Sequence, residues 1–326
     1  MIVLGIETSC DETAVAVSKD YTILHSEVST QAIHRKFGGV VPEIASREHE
    51  KLLNYMVHHT LNKVKISKSE IEGIAVTQGP GLSGTLITGT SFAKGLAQGL
   101  NCKIIGVNHL EAHIFANFLA DPNLKYPFIC LLVSGGHTQI WLVKGLNEYE
   151  LMGETRDDAA GEAFDKGARI LGLGYPGGPE IEKHSKIGDG TSIVFPRPLM
   201  KNNNLEFSFS GLKTSLLYFT ENDASFSKND VAASYQAAII DVLITKLKWA
   251  MEKTGCNTCV VAGGVASNQI LRDVANQTMK NKKVIFPELS LCTDNAAMIA
   301  YLGEIYLQKG ISSPIDFSVL PNMKLV

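Results

Sequence analysis

Two histidines four residues apart, His109 and His113, are the first residues in this sequence whose spacing suggests chemistry. They fall in Asn108–Ala116, which reads as the start of a helix. At about 100° per residue, positions i and i+4 lie about 40° apart, so both imidazoles share one face. Two neutral imidazoles held this way make half of a transition-metal site, and they prefer zinc, iron, nickel or copper to magnesium. The same pair also suits a packed or solvated polar face. Asp294, at the start of a small-residue helix ending near Gln308, is the best oxygen ligand to complete the set. An acid at a helix start is equally favoured by the helix dipole. The metalloprotease pattern H-E-x-x-H is absent, because Glu111 follows His109 by two residues. That places it about 200° round the helix, pointing away from a metal.

The elements that must position these residues are strands ending in polar turns. Ile2–Thr8 reads as a strand, Ser9–Thr13 as a tight polar turn and Ala14–Ser18 as the returning strand. Its hydroxyls and amides can face phosphates, with Asp11 holding a cation or water beside them; a plain polar hairpin tip is the other reading. A second hairpin, Phe128–Val143, turns at Ser134-Gly135-Gly136-His137-Thr138, where paired glycines let backbone N–H groups converge on an anion. The likeness of the two hairpins is the one sign of an internal repeat. A helix is expected over 42–64. The strand Ile71–Val76 runs into a glycine-rich turn at Thr77–Gly84 that opens a helix of small residues. No G-K-[ST] follows, so this is not a Walker loop. Gly172–Glu180 reads as a loop. Thr258–Ala262 is a buried strand entering Gly263-Gly264 and a following helix.

A chain of 326 residues with 45% hydrophobic content can form two domains. Its net charge of −3 gives no global basic field of the kind a nucleic-acid binder shows. The best local basic group is His34, Arg35, Lys36, Arg47 and Lys51. Six scattered cysteines, several in apolar runs, fit reduced thiols better than a disulfide framework. No run approaches 18 apolar residues and the first residues lack a signal-peptide pattern, so a soluble, intracellular protein is expected, away from membranes.

Glycine-containing hairpins in two halves, with a late Gly-Gly turn before a helix, resemble the actin, sugar-kinase and chaperone-ATPase fold. The longer motifs are more specific. Glu7–Thr13, His109–His113, Ser134–Thr138, Tyr175–Pro179, Phe207–Lys213, Gly263–Asn268 and Thr293–Ala296 together resemble the bacterial branch of the TsaD family, formerly called glycoprotease.

The resemblance implies an α/β fold of two similar RNase H-like, actin-like domains with mixed five-stranded sheets, flanking helices and an active site in the cleft between them. The expected domains are 1–106, completed by the C-terminal helix 295–326, and 107–294, carrying the metal and nucleotide sites. It implies a cytoplasmic acyltransferase that moves a threonylcarbamoyl group from threonylcarbamoyl-AMP to N6 of adenosine 37 in tRNAs reading ANN codons. Expected metal ligands are His109, His113 and Asp294, holding iron or zinc; magnesium would accompany ATP if ATP binds. Expected nucleotide contacts are Val133, Ser134, Gly135, Gly136 and His137, with Asp165, Gly178, Glu182 and Asn268. Asp11 and Glu12 are the catalytic candidates. TsaB-like and TsaE-like subunits are the expected partners beside tRNA. An ATPase or kinase of the same fold, or a metal-dependent glycopeptidase, are the alternatives. The first has no reason for the histidine pair, and the second lacks a base near the metal.

Overall fold

A computed structural model describes residues 1–222 and 226–325; Val326, the end of the expected first domain, lies outside the described residues. The first part of the chain runs β1 (Ile2–Glu7), β2 (Glu12–Lys19), β3 (Thr22–Thr30), α1 (Pro42–Val64), β4 (Gly73–Gly79), α2 (Ser83–Leu100), β5 (Lys103–Asn108) and α3 (His109–Ala120). Next come β6 (Phe128–Val133), β7 (Thr138–Gly145), β8 (Glu148–Glu154), α4 (Ala160–Leu171), α5 (Gly177–Ser185), α6 (Ser210–Asn222) and α7 (Lys228–Thr254). The chain finishes with β9 (Thr258–Ala262), α8 (Gln269–Thr278), β10 (Lys283–Ile285), α9 (Leu289–Cys292) and α10 (Ala296–Gln308).

Two compact units result, Met1–Ala116 with Thr293–Val326, and Asn117–Cys292. The sequence reading drew the boundaries at 106/107 and 294/295 and so put His109, His113 and Asp294 in the second domain. They fall in the first unit, because the partners of α3's first turn are there: Glu7 for His109 and Tyr306 for Glu111.

Each unit contains a five-stranded mixed sheet, ordered β3-β2-β1-β4-β5 in the first and β10-β9-β6-β7-β8 in the second. In both, three consecutive strands form an antiparallel meander and two more join in parallel beside the first of them. The two foreseen hairpins are β1–β2 and β6–β7. Each meander's third strand, β3 and β8, escaped the sequence reading; both are edge strands with weak apolar alternation. The expected loop at Gly172–Glu180 becomes helical from Gly177, where Pro176 ends the extended chain just ahead of α5.

In the first unit β1 is buried on both faces. Leu4 and Ile6 pack with Leu53, Met56, Val57 and Leu61 of α1 in one cluster. Each such side chain stabilises the unit by roughly 1.5–3 kcal/mol when fully buried. On the other face α10 lies so close that a Cβ at Gly5 would stand 2.6 Å from both the Ala296 carbonyl oxygen and the Ala300 nitrogen. Neither backbone atom can yield locally. Gly5→Val is therefore expected to destabilise the protein by at least ~1–3 kcal/mol. Calorimetry should show a melting temperature several degrees lower; an unchanged value would disprove the close packing.

Candidate metal centre and nucleotide pocket

The C-terminal ends of β1, β4 and β5 are neighbours in a parallel register, and they bring the first site together. Asn108 ends β5, and its Oδ1 accepts from the N–H groups of Leu110 and Glu111 at 2.9 and 3.2 Å. That cap starts α3 at once, so His109 is its first residue and His113 follows one turn later. Their rings meet edge to face with centroids 4.7 Å apart. The two Nε2 atoms lie 3.4 Å (His109) and 3.2 Å (His113) from Asp294 Oδ1. Asp294 does not cap its helix. Asn295 does so, accepting from the Met298 N–H at 3.0 Å, which leaves the Asp294 carboxylate to the histidines. Asp294 thus faces the two histidines and Asn295 takes the capping position.

Behind His109 stands a carboxylate that the sequence reading left without a role. Glu7 is 0% exposed, and its Oε2 accepts from His109 Nδ1 at 3.0 Å and from the Thr77 hydroxyl at 2.6 Å. Its Oε1 accepts from the Ser9 N–H. A glutamate ending an otherwise apolar strand was the available signal. Because a carboxylate only accepts, Nδ1 carries the hydrogen and Nε2 is the atom turned toward Asp294. Separations of 3.2–3.4 Å suit the edges of a tetrahedron with metal–ligand bonds of about 2.0–2.1 Å, so the three residues fit a zinc- or iron-sized ion. Among the described residues they form the one group of three with its ligand atoms within 4.8 Å of each other.

The buried acids and imidazoles shift one another's protonation. Burial alone would lower the His109 pKa, but Asp294 and Glu7 outweigh it and hold the imidazole well above its usual range. Burial lowers that of His113. Desolvation tends to raise both Glu7 and Asp294, and His109 more than compensates, leaving both carboxyls below the usual carboxylate range. Asp11 and Glu12 lie at the turn into β2. Burial, then the charges of Asp294 and Asp11, push the Glu12 carboxyl up to about 9. Glu111 is buried and accepts from the Tyr306 hydroxyl at 2.6 Å, away from the ligand atoms.

The second site lies within the second unit, a cavity of about 200 Å³. Gly135, Asp165, Gly178, Glu182 and Asn268 line it. Val133, Ser134, Gly136 and His137 do not. Val133 is fully buried in β6, and the turn binds itself: Ser134 N–H donates to the His137 carbonyl at 2.8 Å and His137 N–H to Ser134 Oγ at 3.1 Å. That leaves the N–H groups of Gly135 and Gly136 as the turn's donors for an anion. Gly161, near the N-terminus of α4, also lines the cavity and was missed; its N–H donates to the Ser134 carbonyl at 3.1 Å, bringing the helix's positive end to the turn. Gly263 permits the close approach on the other side. Its φ is +90°, and a Cβ there would stand 2.4 Å from the Val133 carbonyl oxygen. Asp165 Oδ1 accepts from the Gly177 N–H at 2.7 Å, and burial raises its pKa.

The remaining motif, Phe207–Lys213, is a fastener. Phe207 and Phe209 are buried, while the Ser208 and Ser210 hydroxyls each donate to Asp157 at 2.6 Å and the Phe209 N–H at 2.8 Å. The basic group changes as well. His34 is 1% exposed and hydrogen-bonded to Gln31 rather than at the surface. Arg47 pairs with Glu43 at 2.7 Å, and Lys51 pairs with Glu48.

The repeated mixed sheet and the late glycine turn define an α/β protein with an actin-like fold. HypF of T. kodakarensis superposes with a TM-score of 0.65 at 15% identity, covering 95% of this chain and 48% of that one. Component A of the (R)-2-hydroxyglutaryl-CoA dehydratase of Acidaminococcus fermentans gives 0.55 at 14% identity, covering 93% and 97%. At such identities the likeness concerns the fold alone. The family model "TsaD: tRNA N6-adenosine threonylcarbamoyltransferase" matches residues 22–301. The proteins of that name from Thermosipho africanus and Kosmotoga olearia are 53% and 51% identical, covering 100% of this chain and 100% and 99% of theirs. The chain belongs to the TsaD family.

The metal set has a direct test. His113→Ala is expected to keep the fold and lose bound metal, and the unaltered protein is expected to hold one ion per chain. Elemental analysis of both proteins decides it, and a variant with stoichiometric metal would remove His113 from the set.

Proposed function

We propose that this chain transfers the threonylcarbamoyl group of threonylcarbamoyl-AMP to N6 of adenosine 37 in tRNAs reading ANN codons. The observation that carries the reading is the convergence of His109, His113 and Asp294, backed by Glu7, in a family member that pairs them with a glycine-lined cavity. A kinase or ATPase of this fold needs no such imidazole pair. A peptidase needs a base beside the metal, and Glu111 is committed to Tyr306. His109, His113 and Asp294 hold iron or zinc, which when bound supplies a Lewis acid for the acyl carbonyl.

The protein's own groups do the rest. Glu7 keeps the hydrogen of His109 on Nδ1, so Nε2 remains a ligand atom. The N–H groups of Gly135 and Gly136, with the start of α4, take the phosphate of the adenylate. Asp165 and Asn268 hold the nucleoside, and Gly178 gives it room. In the transfer the bond from the carbamoyl carbon to the phosphate oxygen breaks, the bond to N6 forms, and AMP leaves with the N6 proton passing to its phosphate. Adenine N6 is a poor nucleophile, so holding it in place contributes more than a strong base would. Glu12 and Asp11, at the turn into β2, are the candidate catalytic carboxyls. The reaction takes place in the cytoplasm, where TsaB-like and TsaE-like subunits complete the machinery; these partners rest on family resemblance.

Two outcomes follow. Gly135 and Gly136 have open space around the position a Cβ would take. Gly135→Val should fill the space meant for the phosphate and weaken AMP binding at least tenfold by calorimetric titration. Unchanged affinity would mean the turn holds no phosphate.

The tRNA surface is more exposed to failure. The net charge is −3, and within the best local basic group Arg47 and Lys51 already pair with neighbouring acids, which weakens that group's hold on phosphates. The isolated chain should therefore bind tRNA weakly, and Arg35→Glu with Lys36→Glu and Arg47→Glu should weaken it further while sparing AMP. Tight binding by the isolated chain, undiminished in the triple variant, would refute both statements. Purified threonylcarbamoyl-AMP and tRNA, with and without the partner subunits, provide the overall assay; no modified adenosine in any mixture would end the proposal.

A further inference from the structure

Behind the cavity of the second unit runs a buried chain of polar side chains. Gln236, on the long helix α7, is 1% exposed. Its Oε1 accepts from Asn268 Nδ2 at 2.8 Å, and its Nε2 donates to Ser185 Oγ at 2.7 Å. The Ser185 hydroxyl in turn donates to the Glu182 carbonyl at 2.8 Å. At the other end Asn268 Oδ1 accepts from the Leu271 N–H at 2.9 Å and caps α8. Both ends, Asn268 and Glu182, line the cavity.

The polarity of this chain cannot reverse. The Leu271 N–H only donates, so the oxygen of the Asn268 amide must face it and the nitrogen must face Gln236. Gln236 then presents its own oxygen to Asn268 and its nitrogen to Ser185, whose hydroxyl hydrogen goes to the Glu182 carbonyl. An amide nitrogen carries two hydrogens. One of Asn268's is taken by Gln236, which leaves the second for the cavity.

We infer that Gln236 is a positioning residue for the nucleotide pocket: it holds the Asn268 amide so that the cavity meets an N–H donor and selects a ligand with an acceptor there, such as a ribose oxygen or a purine ring nitrogen. The same residue ties the loop before α8 to α5, so the Asn268 and Glu182 walls keep their spacing. This rests on the reading of the cavity as an adenylate pocket. Gln236 touches no ligand itself. A buried amide left half-bonded costs more than the bond it made, so its neighbours would rearrange when it is replaced.

The test uses AMP and the full chain, titrated calorimetrically. Gln236→Met keeps the side chain's length and removes both polar atoms. AMP affinity is expected to fall about tenfold, the loss typical of one well-placed hydrogen bond. In an Asn268→Ala background the same replacement should change affinity by less than about twofold, because its effect passes through Asn268; a general loosening of the fold would weaken both backgrounds alike. Ser185→Ala, a milder change in the same chain, should lower affinity about threefold and stands in if Gln236→Met does not fold. Asp165→Ala is the control for the pocket. If it abolishes AMP binding while Gln236→Met and Ser185→Ala leave it unchanged, or if Gln236→Met costs as much without Asn268, the inference is wrong and the pocket stands. If Asp165→Ala also leaves AMP binding unchanged, the pocket itself has been misread and the inference falls with it.

Discussion

A carboxylate removed from water must find donors, and Glu7 is such a carboxylate at the end of the first strand. Its donors come from three separate pieces of chain: the turn after β1 (Ser9), the strand β4 (Thr77) and the first residue of α3 (His109). Those pieces meet because β1, β4 and β5 lie side by side in parallel, with their C-terminal ends on one edge. Removing one partner would leave buried charge uncompensated, a penalty of about 3–5 kcal/mol for a buried pair. The sheet order and the orientation of His109 are therefore one problem with one solution. Once Nδ1 is held by Glu7, Nε2 turns to Asp294, and the position of His113 follows from the helix.

The second unit repeats the sheet but secures its site by other means. Its cavity is framed by a hairpin turn, the start of α4 and a glycine at positive φ, none of which supplies a buried charge. Fasteners lie outside the cavity. Asp157 gathers donors from Ser208, Phe209 and Ser210; they overcome desolvation and hold its carboxyl down to about 2. Lys246 is fully buried, with its ammonium on the carbonyls of Leu199, Asn204 and Glu206 at 2.7–2.8 Å, and burial pushes its pKa down to about 8. Each pins an irregular stretch of backbone whose own polar groups lack a sheet to satisfy them. The long connection between α5 and α6 is thus held by side chains rather than by secondary structure.

This division suits the proposed chemistry. An acyl transfer that relies on a metal and on placement asks for rigid ligands in one place and a shaped, donor-lined cavity in another. It makes little demand for a strong base. The abundance of fixed hydrogen bonds and the fully engaged Glu111 accord with that.

How much could be read beforehand depended on how local each signal was. The i, i+4 histidines, both hairpins, the span of α1 and the Gly-Gly turn before α8 were legible, because each is set by spacing or turn chemistry within a few residues. The edge strands β3 and β8 were not, since their alternation is weak and only pairing with a neighbour makes them strands. His34 looked like one of a basic group and proved buried, because its bonds to Gln31 and to the Val41 N–H come from how the loop folds back. The self-bonded Ser134–His137 turn removed two expected anion donors for a similar reason. By itself the sequence determined which residue types were available and which helical face the histidines share. Tertiary structure decided that Asp294 rather than Asn295 faces those histidines, that Glu7 orients one of them, and that Gln236 fixes the Asn268 amide. Those are contacts between residues 32 to 185 positions apart, and chain-local periodicity carries no information about them.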